Sequence, residues 1–282
     1  MISVITPVYN GERFIESCLQ NVINQQCAGV EHIIIDAASK DKTVEIIKQY
    51  ADRYSHIRWI SEPDQGQSDA MNKGIKMATG KIVSFLNTDD YYEPNALKRV
   101  LERFKTLPEP SLLVGNCNVW EDEGKFAEVN KPKKLKLIDL LLGPCVNAYP
   151  LNPSAYFYHT SLHQKIGFYK IDEHYAMDID FLFRAVQSAT VIYVDEVWGN
   201  YRKFQGTKTA SDIENGQNLQ RIDQLIKRYR KNLPLLQRWY ATIAYQLEAI
   251  DSWRKIKYFL LNPSDLAPSL KKKLTVFFDS ST

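Results

Sequence analysis

Three times in the first ninety residues, a short apolar run stops at polar residues and an amphipathic stretch follows. The runs are Ile2 to Thr6, His32 to Ile35 and Ile82 to Leu86, and the polar groups just beyond them are Asn10, Asp36 and the adjacent pair Asp89 and Asp90. Each run has the length and β-branched content of a strand. Between them Phe14, Ile15, Cys18, Leu19, Val22 and Ile23 fall on one helical stripe, and Val44, Ile47, Tyr50, Ala51 and Tyr54 on another. A further short strand at Ile57 to Ile60 and a helix from Gln67 to Thr79, closed by Gly80 as its C′ residue, complete the alternation. Strand and helix in strict turn predict an α/β fold, a three-layer α/β/α sandwich on a mostly parallel sheet with right-handed crossovers.

Open parallel sheets bind ligands beyond the carboxyl ends of their strands. Acids scattered along the chain would meet there: Asn10, Asp36, Asp89 and Asp90, with Asp64 on a fourth loop. Two neighbouring aspartates repel unless a cation sits beside them, and hard oxygen ligands at a strand end suit Mg²⁺ or Mn²⁺ already carrying phosphates. A metal diphosphate is therefore the expected ligand. The plainer alternative for Asp89 and Asp90 alone is a solvated turn before a helix near Pro94. Neither G-x-G-x-x-G nor G-x-x-x-x-G-K-[ST] occurs, which argues against a dinucleotide fold and a P-loop.

With 282 residues, 44% hydrophobic and 24% charged, the chain reads as soluble and globular. It has no apolar run near the roughly 20 residues of a membrane span, and its first residues lack a basic signal head, so the expectation is a cytoplasmic protein. Cys18, Cys27, Cys117 and Cys145 show no C-x-x-C spacing, and His159, His163 and His174 no metal-site spacing. The net charge of +3 is unevenly spread: from Arg221 onward twelve basic residues face five acidic ones, with Trp239, Trp253, Phe259, Phe277 and Phe278 among them. Such a mixture on helices is drawn to anionic membrane at about 1 kcal/mol per Lys or Arg near the lipid; an ordinary solvated helical face explains it equally well. The aromatics sit in no nucleic-acid module, so no nucleic-acid partner is expected. In the middle of the chain, Trp120 to Val129 predicts a hairpin, and a basic loop from Lys131 to Lys136 leads into a short helix over Leu135 to Leu142.

Four segments together carry a resemblance: S-V-I-T-P-V-Y-N at Ser3 to Asn10, I-I-I-D-A-A-S-K-D-K-T at Ile33 to Thr43, S-E-P-D-Q-G-Q-S-D-A-M-N-K-G at Ser61 to Gly74, and F-L-N-T-D-D at Phe85 to Asp90. In order and spacing they resemble the family 2 glycosyltransferases of the GT-A fold. Further on, N-P-S-A-Y-F-Y at Asn152 to Tyr158 and Y-A-M-D-I-D-F-L-F-R at Tyr175 to Arg184 resemble that family's acceptor-side strand and catalytic acidic motif. The resemblance implies a GT-A catalytic domain over 1–205, with a nucleotide-sugar half (1–100) and an acceptor half (101–205), and a helical basic and aromatic extension over 206–282. It implies that Pro7, Tyr9 and Asn10 shape the loop beneath the nucleotide, that Asp36 accepts from the base, and that Asp64 and Lys73 line the cleft. Asp89 would approach the ribose and Asp90 bind Mg²⁺ or Mn²⁺. Asp178, at the start of an amphipathic run, would be the general base of an inverting transfer, with Asp180 as rival; a helix N-cap is the structural alternative for either.

Two departures matter. Ala37 and Ala38 follow Asp36 where relatives often carry another acid or a glycine, and the stretch Asn200 to Thr209 lacks the histidine that many relatives use near the metal or diphosphate. Arg202 or Lys208 would supply charge to the phosphates instead. The Q-x-x-R-W element of processive synthases is absent, which favours one sugar per encounter. The resemblance thus implies a non-processive hexosyltransferase of polysaccharide biosynthesis. It would take a sugar from a UDP, GDP or dTDP donor to a glycan or lipid-linked glycan, at the inner membrane face if the basic extension meets lipid. A homodimer is left open. The alternative reading is a GT-A-like binding or scaffold protein that has lost turnover.

Overall fold

The computed structural model describes residues 1–121, 124–144, 146–173, 176–204 and 217–245. They belong to two compact units, Met1–Asn232 and Leu233–Thr282. The first opens with β1 (Ile2–Val8), α1 (Ile15–Ile23), β2 (Val30–Asp36), α2 (Thr43–Ala51), β3 (Ile57–Ser61), α3 (Gln67–Met77) and β4 (Ile82–Phe85). Strands β3, β2, β1 and β4 lie side by side in that order, all parallel. Every residue of β2 and all but Pro7 in β1 are buried, as strands covered on both faces must be.

The two faces follow from the period of two along each strand. Ile34 joins Ile15 and Leu19 of α1 and Ile47 of α2 on one side. Ile5 and Ile35 point to the other, where α3 comes so close that a Cβ on Gly74 would lie 2.3 Å from Ile5 Cγ2. Helix α3 stops at Met77, with Ala78 already extended, so the expected end at Thr79 is two residues late. Gly80 is not its C′ residue either. The Gly80 N–H donates to Ser3 Oγ at 2.9 Å and Glu31 Oε1 at 3.1 Å, and a Cβ there would meet Ser3 Oγ at 2.7 Å. Close approach to β1, not a left-handed turn, excludes a side chain at this position.

The rest of the first unit comprises β5 (Tyr91–Tyr92), α4 (Ala96–Phe104), β6 (Ser111–Trp120), β7 (Phe126–Asn130), α5 (Leu137–Leu140), a 3₁₀ turn (Pro153–Ala155), β8 (Tyr156–His159), α6 (Leu162–Ile166), α7 (Met177–Ala185), β9 (Thr190–Arg202) and α8 (Gln217–Lys231). The predicted hairpin is β6–β7, with its irregularity at Val119 and Trp120, and the predicted short helix is α5. The sheet continues from β4 through β8, β6, β9 and β5. Here it is mixed: β8 runs antiparallel to both β4 and β6, β6 is parallel to β9, and β5 is antiparallel to β9.

The first unit runs to Asn232, and α8 packs back on it. The Tyr229 hydroxyl donates to Asp180 at 3.0 Å and its ring meets Phe183 edge-on at 5.1 Å. Arg230 is 7% exposed and its Nε donates to the Leu141 carbonyl at 3.0 Å. Part of the basic excess counted from Arg221 is therefore interior. In the second unit, the described helix 235–245 exposes Leu235, Leu236, Trp239, Tyr240 and Ile243. Among the described residues, no helix is long and apolar enough to cross a membrane.

Cys18 and Cys117 are buried free thiols, and Cys27 is half-buried. His159 and His163 lie in the core, with His159 Nδ1 accepting from the Ser111 N–H. No group of three or more metal-ligating side chains occurs among the described residues. Cys145 and His174 lie outside them.

Candidate active site

The loops after β1 and β2 are laced together by side chain to backbone bonds. The Asn10 N–H donates to Ser39 Oγ at 2.8 Å, the Lys40 N–H to Asn10 Oδ1 at 2.9 Å, and the Gly11 N–H to Thr43 Oγ1 at 2.8 Å. Asn10 (φ 49°) and Ala38 (φ 57°) are both left-handed. For alanine that conformation costs about 1–2 kcal/mol, and such strain gathers at functional sites. Pro7 pairs with Ile35 one residue before the end of β1, and Tyr9 just beyond the strand is 61% exposed.

Asp36 sits beneath these loops with no solvent exposure. Its Oδ2 accepts from the Ser39 N–H at 3.0 Å and the Ser61 hydroxyl at 2.6 Å, whereas its buried Oδ1 has no partner. A buried acceptor without a donor costs about 1–3 kcal/mol, so this oxygen fits an N–H brought by a ligand.

Two strands along the edge from β2, beyond β1, β4 leads to Asp89 and Asp90. Asp90 is 1% exposed, yet both its oxygens are engaged: Oδ2 accepts from the Asn152 amide at 2.7 Å and the Asn87 amide at 2.9 Å, and Oδ1 from the Arg202 N–H at 3.2 Å. All three donors are uncharged. Burial, and then the Asp89 charge, push the Asp90 carboxyl up to about 7, and burial raises Asp89 as well. Arg202 opposes the shift at Asp89; its Nε donates to the Asp89 carbonyl, and its guanidinium lies over Phe14, Tyr91 and Phe204 at 5.5 to 5.6 Å. A buried acid pair with one nearby cation carries excess negative charge, and its hard oxygens fit a divalent cation at this edge. Lys208 lies outside the described residues.

The third loop joins through α3. Gly66, its N-cap, has φ 105°, a conformation only glycine adopts readily. The Gly66 N–H donates to Asp64 Oδ1 at 2.8 Å. Lys73 turns back onto the same loop, 2.9 Å from Glu62 and 2.8 Å from the Pro63 carbonyl, so it braces the cleft wall. Gln67 Nε2 donates to Asn87 Oδ1 at 3.3 Å, and the Ser68 hydroxyl contacts Met177 Sδ at 2.9 Å. The start of α3 thus touches Asn87, which donates to Asp90, and the start of α7.

In α7 the two aspartates part company. Neither is an N-cap, since that position is Ala176. Asp180 is buried; desolvation would raise its carboxyl, but Lys170 and Arg184, each at 2.8 Å, hold it below the usual range. Its charge is spent on packing. Asp178 is half-buried in the first turn, beside the hydroxyl side of Tyr156, Tyr158 and Tyr169. The arrangement pairs an acid-lined sheet edge with a separate carboxylate in the first turn of α7.

Asn87 and Asn152 were not singled out by reasoning from sequence, nor was the aromatic box around Arg202. Asn152 did carry a signal: Asn-Pro-Ser fixes a turn, and here its amide oxygen caps the 3₁₀ turn while its nitrogen reaches Asp90.

The family model of Glycosyl transferase family 2 matches residues 3–149, more than half of the chain. The chain belongs to glycosyl transferase family 2. Among curated members, it is 35% identical over 147 residues to the uncharacterized glycosyltransferase YibD of Escherichia coli, a match covering 51% of this chain and 42% of that one. It spans less than half the length of the first such relatives it matches. A PGL/p-HBAD biosynthesis glycosyltransferase of Mycobacterium bovis is 28% identical over 263 residues, 90% of this chain and 98% of its own. The fold is that of GT-A family members. TarS 1-349 of S. aureus, solved with UDP-GlcNAc, superposes with a TM-score of 0.66 at 20% identity over 89% of this chain and 72% of its own. The mannosyltransferase PcManGT of Pyrobaculum calidifontis, solved with GDP-Man and Mn²⁺, gives 0.65 at 15% identity over 98% and 83%.

Proposed function

We propose that the protein is an inverting, metal-dependent glycosyltransferase that moves one sugar at a time from a nucleoside-diphosphate sugar to a glycan or lipid-linked glycan. The observation that carries this reading is the meeting of Asp36, Asp89 and Asp90 at one sheet edge, under loops braced for a ligand before any ligand arrives. Asp36 Oδ1 accepts from the base, Tyr9 and Asn10 flank it, and Asp89 faces the ribose. Asp90 would hold the divalent ion, Mg²⁺ or Mn²⁺, which when bound would neutralise charge growing on the leaving diphosphate. Arg202 adds a fixed positive charge on the same side. Asp178 takes the proton of the acceptor hydroxyl as that oxygen bonds to the anomeric carbon, and the bond from that carbon to the diphosphate oxygen breaks on the opposite face. Nucleoside diphosphate leaves with the bonding pair.

We further place the acceptor at an anionic membrane surface. The support is the stripe Leu235, Leu236, Trp239, Tyr240 and Ile243, at helical spacing beside Arg238. Anionic vesicles should sediment the full chain and not a chain ending at Asn232; equal sedimentation removes this part of the proposal.

The deciding experiment is calorimetric binding of UDP, GDP, dTDP and CMP, each with Mn²⁺ or EDTA, to the intact chain and to Asp90→Asn. One nucleotide should bind with metal only and lose affinity in the variant. If none binds the folded protein with metal present, the scaffold reading replaces this one.

A further inference from the structure

Beneath the first turn of α7, three phenols gather round one ring. Phe181, three residues after Asp178, is flanked by Tyr169 at 4.7 Å, Tyr158 at 4.8 Å and Tyr156 at 6.4 Å between ring centroids. All three tyrosines are buried. Their hydroxyls are unequally served. Tyr158 lies 3.0 Å from His163 Nε2, and His163 Nδ1 lies 3.0 Å from the Gly167 carbonyl. A carbonyl only accepts, so Nδ1 carries the imidazole proton and Nε2 accepts from Tyr158. The hydroxyls of Tyr156 and Tyr169 make no well-formed hydrogen bond, yet Tyr156 stands close enough to interact with Asp178 and Tyr169, and Tyr169 with Tyr158.

Two buried hydroxyls held only by such loose contacts carry a cost that phenylalanine would avoid in the same space. Their shared feature is Asp178, whose charge, after burial, suppresses the ionisation of Tyr156, and which also acts on Tyr169. The other ionisable groups nearby are already committed. Asp180 is closed by Lys170, Arg184 and Tyr229, Arg184 bears on Tyr158, and burial holds His163 neutral.

We propose that Tyr156 is a positioning residue for Asp178: its hydroxyl donates to the Asp178 carboxylate in the working enzyme, with Tyr169 behind it as a second donor held by the Tyr158–His163 pair. Hydrogen bonds to a catalytic base are commonly long before substrate arrives and shorten in the complex. Donation to the ionised form keeps Asp178 ready to accept a proton and leaves its second oxygen for the acceptor hydroxyl. The inference rests on reading Asp178 as the base, and its test separates the two.

The ¹³C carboxyl resonance of Asp178, assigned with Asp178→Asn, is titrated in the full chain alone and with UDP and Mg²⁺. Tyr156→Phe is expected to raise its midpoint by about one pH unit, and Tyr169→Phe by less, without lowering Tm. Unchanged midpoints under both conditions overturn the inference, as does a Tm loss without a shift, which would mark Tyr156 as an ordinary core residue. If the shift appears but Asp178→Asn still releases UDP from UDP-GlcNAc at the native rate, Tyr156 positions a carboxylate that is not the base.

Discussion

Asp90→Asn should stabilise the metal-free protein at alkaline pH while abolishing its metal-dependent nucleotide binding. Asp90 is driven from 3.8 to about 7 by burial and by Asp89. At about 1.4 kcal/mol per pH unit, keeping it ionised in the folded state forfeits roughly 4 kcal/mol. The sign is fixed by the direction: a carboxyl raised on folding contributes fully below 3.8, and that contribution is lost as pH rises towards 7. Asparagine removes the charge but sets its NH₂ against one existing donor, most simply the Arg202 N–H, at about 1–3 kcal/mol. The net gain at pH 8.5 is therefore about 1–3 kcal/mol. At pH 4.5 the ionisation term shrinks to about 1 kcal/mol, so the variant loses its advantage. The difference between the two pH values, about 3 kcal/mol, does not depend on the amide conflict. Urea unfolding of both proteins in EDTA at each pH measures it. Saturating UDP and Mn²⁺, at 100 times Kd, should then add about 2.7 kcal/mol to the native protein alone. A stability difference that is the same at pH 4.5 and 8.5 refutes the reasoning.

Other outcomes follow from the same contacts. Asp36→Ala removes the only acceptor proposed for the base and should weaken nucleotide binding about 10- to 100-fold by calorimetry, since bonds to a charged group are worth about 1.5–3 kcal/mol. Asn152→Ala deletes the 2.7 Å donor to Asp90, so metal-dependent UDP binding should fall about 10- to 100-fold and its pH midpoint move upward. Asp180→Asn leaves Arg184 without its carboxylate in a largely buried setting, and should cost about 3 kcal/mol in urea unfolding while nucleotide affinity is retained. Arg202→Gln keeps the backbone bond to Asp90 but removes the cation, so nucleotide affinity should drop while Tm changes little; an affinity equal to the native value would dismiss its phosphate role.

How far the sequence could be read depended on whether the signal was local. The β1 to β4 block was legible because each strand is a short, mainly apolar run and each helix carries one stripe, so every element can be recognised from its own residues. Asp36 and Asp90 could be placed at one edge for the same reason. The assignment of Gly80 failed because its constraint is Ser3, seventy-seven residues away, and not the helix before it. Asn152 and Asn87 were invisible as partners of Asp90 for a similar reason: an amide's value lies in what faces it. Asp178 and Asp180 look alike in sequence, and only Lys170, Arg184 and Tyr229 tell them apart. Ala38 shows the reverse case, where an unremarkable residue holds a strained backbone.

The return of α8 to α7 also sets an order of assembly. The parallel strands pair within the first ninety residues, but their core also takes Leu113, Phe157 and Trp198, and Asp90 takes donors from Asn152 and Arg202. The ion-pair cluster at Asp180 gains Tyr229, and the Leu141 carbonyl gains Arg230, only once residue 230 has emerged. A ribosome-bound chain stalled with Arg202 free and Tyr229 still in the tunnel would have the bonds at Asp90 in place beside an unfinished cluster at Asp180. The acid edge would be complete before the cluster that braces α7.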